Sequence, residues 1–249
     1  MAGHSHWANI KHKKAKTDSR RGKVWGKCAK AIMVAARHGL PDPAANLALR
    51  YAVEEAKAAN MPRDTIERAI KKGSGEIGGE DWQDVRYEAF GPGGVAIIID
   101  ALTNNRTRTV GEVRMHLTKY GGNLGATGAV AYMFEQKGRI TLDSEAASED
   151  QLMAIAVEAG AEDVRLEDGV WTVLTAPADY IAVKEAIDKS GLKIDSAELA
   201  MIPGTLTELA GENLAKCVKM IEALEDNDDV QKVYTNLDAS AEALEDAMR

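Results

Sequence analysis

At Gly73–Glu80 the chain changes its period, and this change constrains the fold more than any other feature. Before the glycine-rich stretch, apolar residues recur at three- and four-residue spacings, as a helix face requires. After it, alternating and continuous apolar runs take turns with helical ones. No single uniform architecture accommodates both textures. The pattern predicts a helical bundle, a linker and then mixed strands and helices, which is an α+β fold.

In the first part, Val24, Cys28, Ile32 and Ala35 mark the apolar stripe of a helix from about Asp18 to His38, and Gly39 stops it. Asp42-Pro43 reads as the N-cap and first residue of a second helix, which runs to about Asn60. Pro62 starts a third. Asp64 and Glu67 in its first turn, and Lys71 and Lys72 in its last, suit the helix dipole.

Beyond the linker, Val85, Tyr87 and Ala89 alternate as a half-buried strand. Gly91-Pro92-Gly93-Gly94 turns, and Val95–Ile99 reads as a central buried strand. A helix over about Thr107–Tyr120 buries Val110, Val113 and Leu117, and Ala129–Phe134 reads as another strand. Next come a strand at Arg139–Leu142, a helix at Glu149–Ala159 and a strand at Asp163–Leu166. Asp168-Gly169 makes a tight turn into Val170–Leu174, followed by a helix at Asp179–Ser190 and a strand from near Lys193. That order, βαββαβ, is a ferredoxin-like module. A helix at Glu212–Leu224 and a strand at Val230–Thr235 close a surrounding module, and the tail from Leu237 reads as a frayed helix. The expected architecture is an N-terminal three-helix bundle plus two ferredoxin-like α/β domains, the third nested in the second. Their expected limits are 1–75, 81–136 with 199–249, and 137–198.

Charge is segregated along this framework. The first forty residues carry ten Lys or Arg against one acid, Asp18; the remainder carries twenty-one bases against thirty-eight acids. A concentrated basic grip on an acidic body is the footprint of a polyanion ligand, because clustered cations displace the counterions of a phosphate array. Met1–Thr17 lacks apolar periodicity and reads as a flexible arm. The candidate contacts are Lys11, His12, Lys13, Lys14 and Lys16 on the arm, then Arg20, Arg21, Lys23 and Lys27 on the first helix. Lys30 shares the helix sector of Arg20, Lys23 and Lys27. Lysines are flexible point charges that suit phosphates better than base edges. Against this reading stand a solvated charge run, an intramolecular tether onto the acidic body, and a protein-interaction module whose arm binds an acidic partner.

Arg106 and Arg108, within Asn104–Thr109 at a helix start, are further candidates. Arginine is disfavoured by the dipole there, so a capped N-terminus flanked by two of them would suit phosphate; an ordinary cap with solvated arginines is the alternative. The glycines of Gly121–Gly128 are read as backbone freedom rather than ligand contact. Gly91–Gly94 lies between strands with no Lys-Ser or Lys-Thr after it, so it is a turn and not a nucleotide loop. His4, His6 and His12 with Asp18 raise a metal-dependent nuclease, but the spacing fits no helix-face pair. Cys28 and Cys217 match no metal spacing and are expected to be free thiols. The acidic stretches Glu145–Asp150 and Glu222–Asp229 read as solvated surface or as a seat for a basic protein partner. No catalytic acid–base pair, activated nucleophile or cofactor fingerprint assembles, so no enzyme, cofactor or metal is expected. With no signal segment, and apolar runs such as Val95–Ile99 far too short to span a membrane, the chain is expected to be a soluble cytoplasmic monomer without a membrane partner.

Four segments carry a resemblance to a known family: GHSHWANIKHKKAKTDSRRGK, DPAANLALRYAVEEAKAANMPRDTIERAIKKG, YEAFGPGGVAIIIDALTNNRTRT and KYGGNLGATGAV. In this order they resemble the YebC/PmpR family over residues 3 to about 134. Trp25, Ala129 and Tyr132 depart from the family pattern, where a smaller aromatic, a serine and a tryptophan are usual. The resemblance implies three domains and a cytoplasmic regulator that binds nucleic acid. It implies DNA and transcription on one side, and on the other ribosomal RNA and easing of stalled synthesis on the ribosome, as for related mitochondrial translational activators.

Overall fold

The computed structural model describes residues 18–77, 82–167 and 169–248. Three helices form the first unit: α1 (Asp18–His38), α2 (Leu47–Ala58) and α3 (Arg63–Gly73). The buried stripe of α1 is Cys28, Ile32 and Ala36, with Trp25 and Ala29 packed beside it. Val24, expected in the stripe, is exposed, and the Trp25 ring takes its place by donating from Nε1 to the Ala59 carbonyl at 3.0 Å. The start of α2 also differs from expectation. Asp42 closes a local turn by accepting from the Ala44 amide at 2.9 Å, and Asn46 is the true cap, accepting from the Leu49 amide at 3.1 Å. Gly73 packs α3 onto α1: a Cβ there would meet the Met33 carbonyl at 2.4 Å, so only glycine permits this crossing.

The second unit is built on a sheet in the order β3-β1-β2-β9, from β1 (Gln83–Phe90), β2 (Ala96–Thr103), β3 (Asn123–Leu124) and β9 (Val230–Thr235). Gly93 and Gly94, at φ of 69° and 80°, turn the β1–β2 hairpin. Helices α4 (Arg106–Lys119) and α7 (Gly211–Glu225) cover one face, where Ile97 and Ile99 meet Val113, Leu117, Leu214 and Ile221. The other face, with Ala96, Ile98 and Tyr234, packs on Phe134, Ala200 and Met201. β2 is therefore buried on both sides, which explains its unbroken apolar run.

The nested unit has the predicted order. β4 (Phe134–Asp143), α5 (Glu149–Glu158), β5 (Ala161–Glu167), β6 (Val170–Thr175), α6 (Tyr180–Lys189) and β7 (Ile194–Pro203) form an antiparallel sheet β5-β6-β4-β7, the ferredoxin-like arrangement. Glu167 pairs with Val170 across the predicted hairpin, while Asp168 itself lies outside the described residues. The outer sheet differs in both order and connectivity: with strands numbered along the chain within each unit, it lies 3-1-2-4 where the nested sheet lies 2-3-1-4. Its central pair is a direct hairpin, and the edge strand β9 with its helix α7 arrives only after the insertion.

Two more expectations are corrected. Ala129–Phe134 is not a strand: Ala131–Met133 is a 3₁₀ turn, and β4 begins at Phe134 and continues to Asp143. The tail is docked rather than frayed. β8 (Thr207–Glu208) pairs with β10 (Leu237–Asp238), and α8 (Ala241–Ala247), capped by Ser240, buries Leu244 in the outer core. The expected domain limits near 136 and 198 fall inside β4 and β7, which run unbroken from one core into the other. Among the described residues no helix is long and apolar enough to cross a membrane.

Candidate nucleic-acid interface

The basic row of α1 is the first element to place. Lys23, Lys27 and Lys30 recur at four- and three-residue spacing, so they lie along one side of the helix. That side meets the end of α7 and the acidic turn after it. Lys23 Nζ donates to Asp226 Oδ1 at 2.5 Å and to the Asp226 carbonyl at 3.3 Å. Lys27 Nζ donates to the Glu225 carbonyl at 2.7 Å, and Lys30 Nζ to the Asp228 carbonyl at 2.8 Å. Lys23 and Lys27 thus cap carbonyls at the C-terminal end of α7, the negative end of its dipole, while Lys30 caps the turn beyond it. Lys30 also lies 4.3 Å from the centroid of the Trp82 ring, a cation–π contact. Lys23 and Lys27, expected to hold phosphate, make contacts to the body in this structure, as an intramolecular tether would. The acidic stretch Glu222–Asp229 is its counterpart rather than plain solvated surface.

Asp229 extends this contact inward. Its carboxylate accepts from Arg108 at 2.6 Å, from the Thr109 hydroxyl at 2.8 Å, from the Thr103 hydroxyl at 3.2 Å and from Lys30 at 3.3 Å. Burial works to raise this carboxyl, but Arg108, Thr109 and Lys30 outweigh it and hold it below its ordinary value. Arg108 is thereby drawn off the proposed phosphate seat, with Asn104 Oδ1 as its second acceptor at 3.2 Å. Asn105 is an ordinary N-cap, accepting from the Arg108 amide at 3.0 Å. Arg106, at the first position of α4, is exposed and makes no hydrogen bond or ion pair with the described residues.

Arg20 and Arg21 lie in the first turn of α1. Lys11, His12, Lys13, Lys14 and Lys16 lie outside the described residues, as do His4 and His6 of the metal alternative. Among the described residues no cluster of His, Cys, Asp or Glu could hold a metal ion. Cys28 and Cys217 are free and buried, and burial pushes both thiols up to about 12, so they stay protonated at neutral pH.

Two further charged sites escaped sequence reading. At the junction of all three units, Glu198 on β7 accepts from Arg139 on β4 at 2.5 Å and from Lys232 on β9 at 2.9 Å. Lys232 also reaches Glu55 on α2 at 2.9 Å. Glu88 on β1, only 6% exposed, accepts from the backbone amides of Gly128, Val130 and Ala131 at 2.6, 2.7 and 2.7 Å. Burial alone would raise the Glu88 carboxyl; the three amides and nearby Arg86 hold it low. The signal available in the sequence was a charged residue beside an apolar one within a strand: Glu88 beside Ala89, Lys232 beside Val233, Glu198 beside Leu199.

Comparison with known proteins completes the picture. The family model described as TACO1/YebC protein N-terminal domain matches residues 5–76, and that described as TACO1/YebC second and third domain matches residues 82–237. A probable transcriptional regulatory protein of Geobacter sulfurreducens is 50% identical over 248 residues, covering 100% of both chains. One of Treponema denticola is 51% identical over 96% of each. The crystal structure of a conserved hypothetical protein from Aquifex aeolicus has a TM-score of 0.83 at 47% identity, covering 94% of this chain and 96% of that one.

Proposed function

Because this chain belongs to the TACO1/YebC family, we propose that it is a non-enzymatic regulator of gene expression that acts by binding nucleic acid. The relatives' description as probable transcriptional regulatory proteins supports the regulatory role. The observation that carries the binding role is the segregation of charge, ten bases against one acid in the first forty residues of an otherwise acidic chain. Since Lys23, Lys27 and Lys30 are engaged with α7 and its acidic turn, phosphate contact falls to Lys11, Lys13, Lys14, Lys16, Arg20 and Arg21, with His12 among them and Arg106 in support. The polyanion is promoter DNA or ribosomal RNA. Crosslinking in cells, with sequencing of both the attached DNA and the attached RNA, separates a transcriptional role from action on the ribosome.

The test compares two variants by salt titration. Replacing Lys11, Lys13, Lys14 and Lys16 with Ala is expected to weaken binding to every duplex sequence and to flatten the log K against log salt slope by about 3.6. Replacing Lys23 and Lys27 with Ala is expected to leave that slope near the parent value and to speed hydrogen exchange at the end of α7. A parent slope in the arm variant removes the proposal.

A further inference from the structure

Tyr132 is 80% exposed, the most exposed large apolar side chain among the described residues, and it sits on a turn that is otherwise fixed. The Glu88 carboxylate takes the amides of Gly128, Val130 and Ala131, and the Glu88 carbonyl takes that of Gly125 at 2.7 Å. The Met133 amide donates to the Val130 carbonyl at 2.9 Å, and the Met133 carbonyl accepts from Gly204 at 2.8 Å. The Val130 and Phe134 side chains are buried in the core between the two sheets. Both sides of Tyr132 are therefore anchored while its ring projects outward.

A buried carboxylate is costly unless donors compensate it. Here it is spent on backbone amides and presents no charge at the surface, so its physical role is to hold this turn in one shape. A fixed backbone carrying an aromatic ring with only two side-chain torsions loses little entropy when a flat ligand covers it. On the nucleic-acid reading proposed above, we infer that the Tyr132 ring is a stacking platform for an unpaired nucleobase. Bases inside a duplex already stack on their neighbours. An unpaired base of a single strand, loop or bulge offers a free face, and every base has one.

The test uses the full-length chain and oligonucleotides carrying a single fluorescent base analogue, as single-stranded RNA, single-stranded DNA and matched duplex. Tyr132→Ala is expected to weaken single-strand binding about tenfold and to abolish quenching of the analogue, with duplex binding and the salt slope unchanged. Tyr132→Trp is expected to restore both. Loss in only the RNA or only the DNA arm identifies the strand that supplies the base. Parent-like single-strand affinity and quenching in Tyr132→Ala, or equal loss on duplex, overturns the platform. The arm variant, run on the same oligonucleotides, tells the two failures apart. Arm-dependent binding indifferent to Tyr132 sinks the platform alone, whereas an intact chain that binds none of the polymers sinks the nucleic-acid reading with it.

Discussion

Glu198→Ala is expected to lower the unfolding free energy by about 3 kcal/mol, with a melting midpoint about ten degrees lower. The parent junction holds Glu198 between two cations, Arg139 at 2.5 Å and Lys232 at 2.9 Å. Truncation leaves Arg139, a buried guanidinium whose Nε already has no acceptor, facing Lys232 with no intervening anion. An uncompensated buried charge costs more than the pair contributed, so the loss exceeds that of two hydrogen bonds. Replacing Arg139, Glu198 and Lys232 together with Met is expected to recover most of the stability, since apolar packing is no worse than a buried ion network. Thermal and urea unfolding measure both, and a single variant within about 0.5 kcal/mol of the parent would contradict the argument. The pH dependence follows in sign. Burial works to raise the Glu198 carboxyl, but Lys232 and Arg139 hold it far below the unfolded value of about 4.3. Its contribution is complete above the unfolded value and is lost only as pH falls through the folded one. The junction therefore outlasts ordinary surface carboxylates in acid.

The same residues show what a sequence can and cannot disclose. The nested module was legible because its evidence is local: Leu152 and Ala156, then Val183 and Ile187, repeat at helical spacing, and the strands on either side of Asp168-Gly169 are only two residues apart. The two-sided burial of β2 was legible from its unbroken run of Ile97, Ile98 and Ile99. Ala129–Phe134 has the composition of a strand and was misread, because the force that bends it comes from Glu88, some forty positions earlier. The lysine row of α1 was visible as a pattern, yet its partners lie about 200 residues away at the end of α7. A helical wheel shows that lysines share a face. It does not show whether that face meets phosphate or the carbonyls of another helix, since both attract cations for the same electrostatic reason.

Asp229→Ala is expected to cost about 2–3 kcal/mol and to loosen the first unit from the second without unfolding either core. Asp229 is 6% exposed and joins three places at once: the end of β2 through Thr103, the start of α4 through Arg108 and Thr109, and α1 through Lys30. Some of these donors have second acceptors. Arg108 keeps Asn104, Lys30 keeps the Asp228 carbonyl, and Thr109 keeps the Asn105 carbonyl at 3.1 Å. The cost is therefore less than the sum of four charge-assisted bonds. Asp229→Asn retains an acceptor for the hydroxyls and removes the charge, so it is expected to fall between parent and Ala. A double-mutant cycle with Lys30→Ala isolates the link between units, for which a coupling of about 1 kcal/mol is expected. Hydrogen exchange is expected to accelerate along α1 and the turn after α7, while the β1–β2 hairpin stays protected. Because the folded Asp229 carboxyl is held below its unfolded value, the parent's advantage over Asp229→Ala is full above about pH 4 and shrinks as pH falls through the folded value. An advantage that instead grew on acidification would mean that Asp229 is neutral in the folded chain, and that Arg108 and Lys30 do not hold it as the distances require.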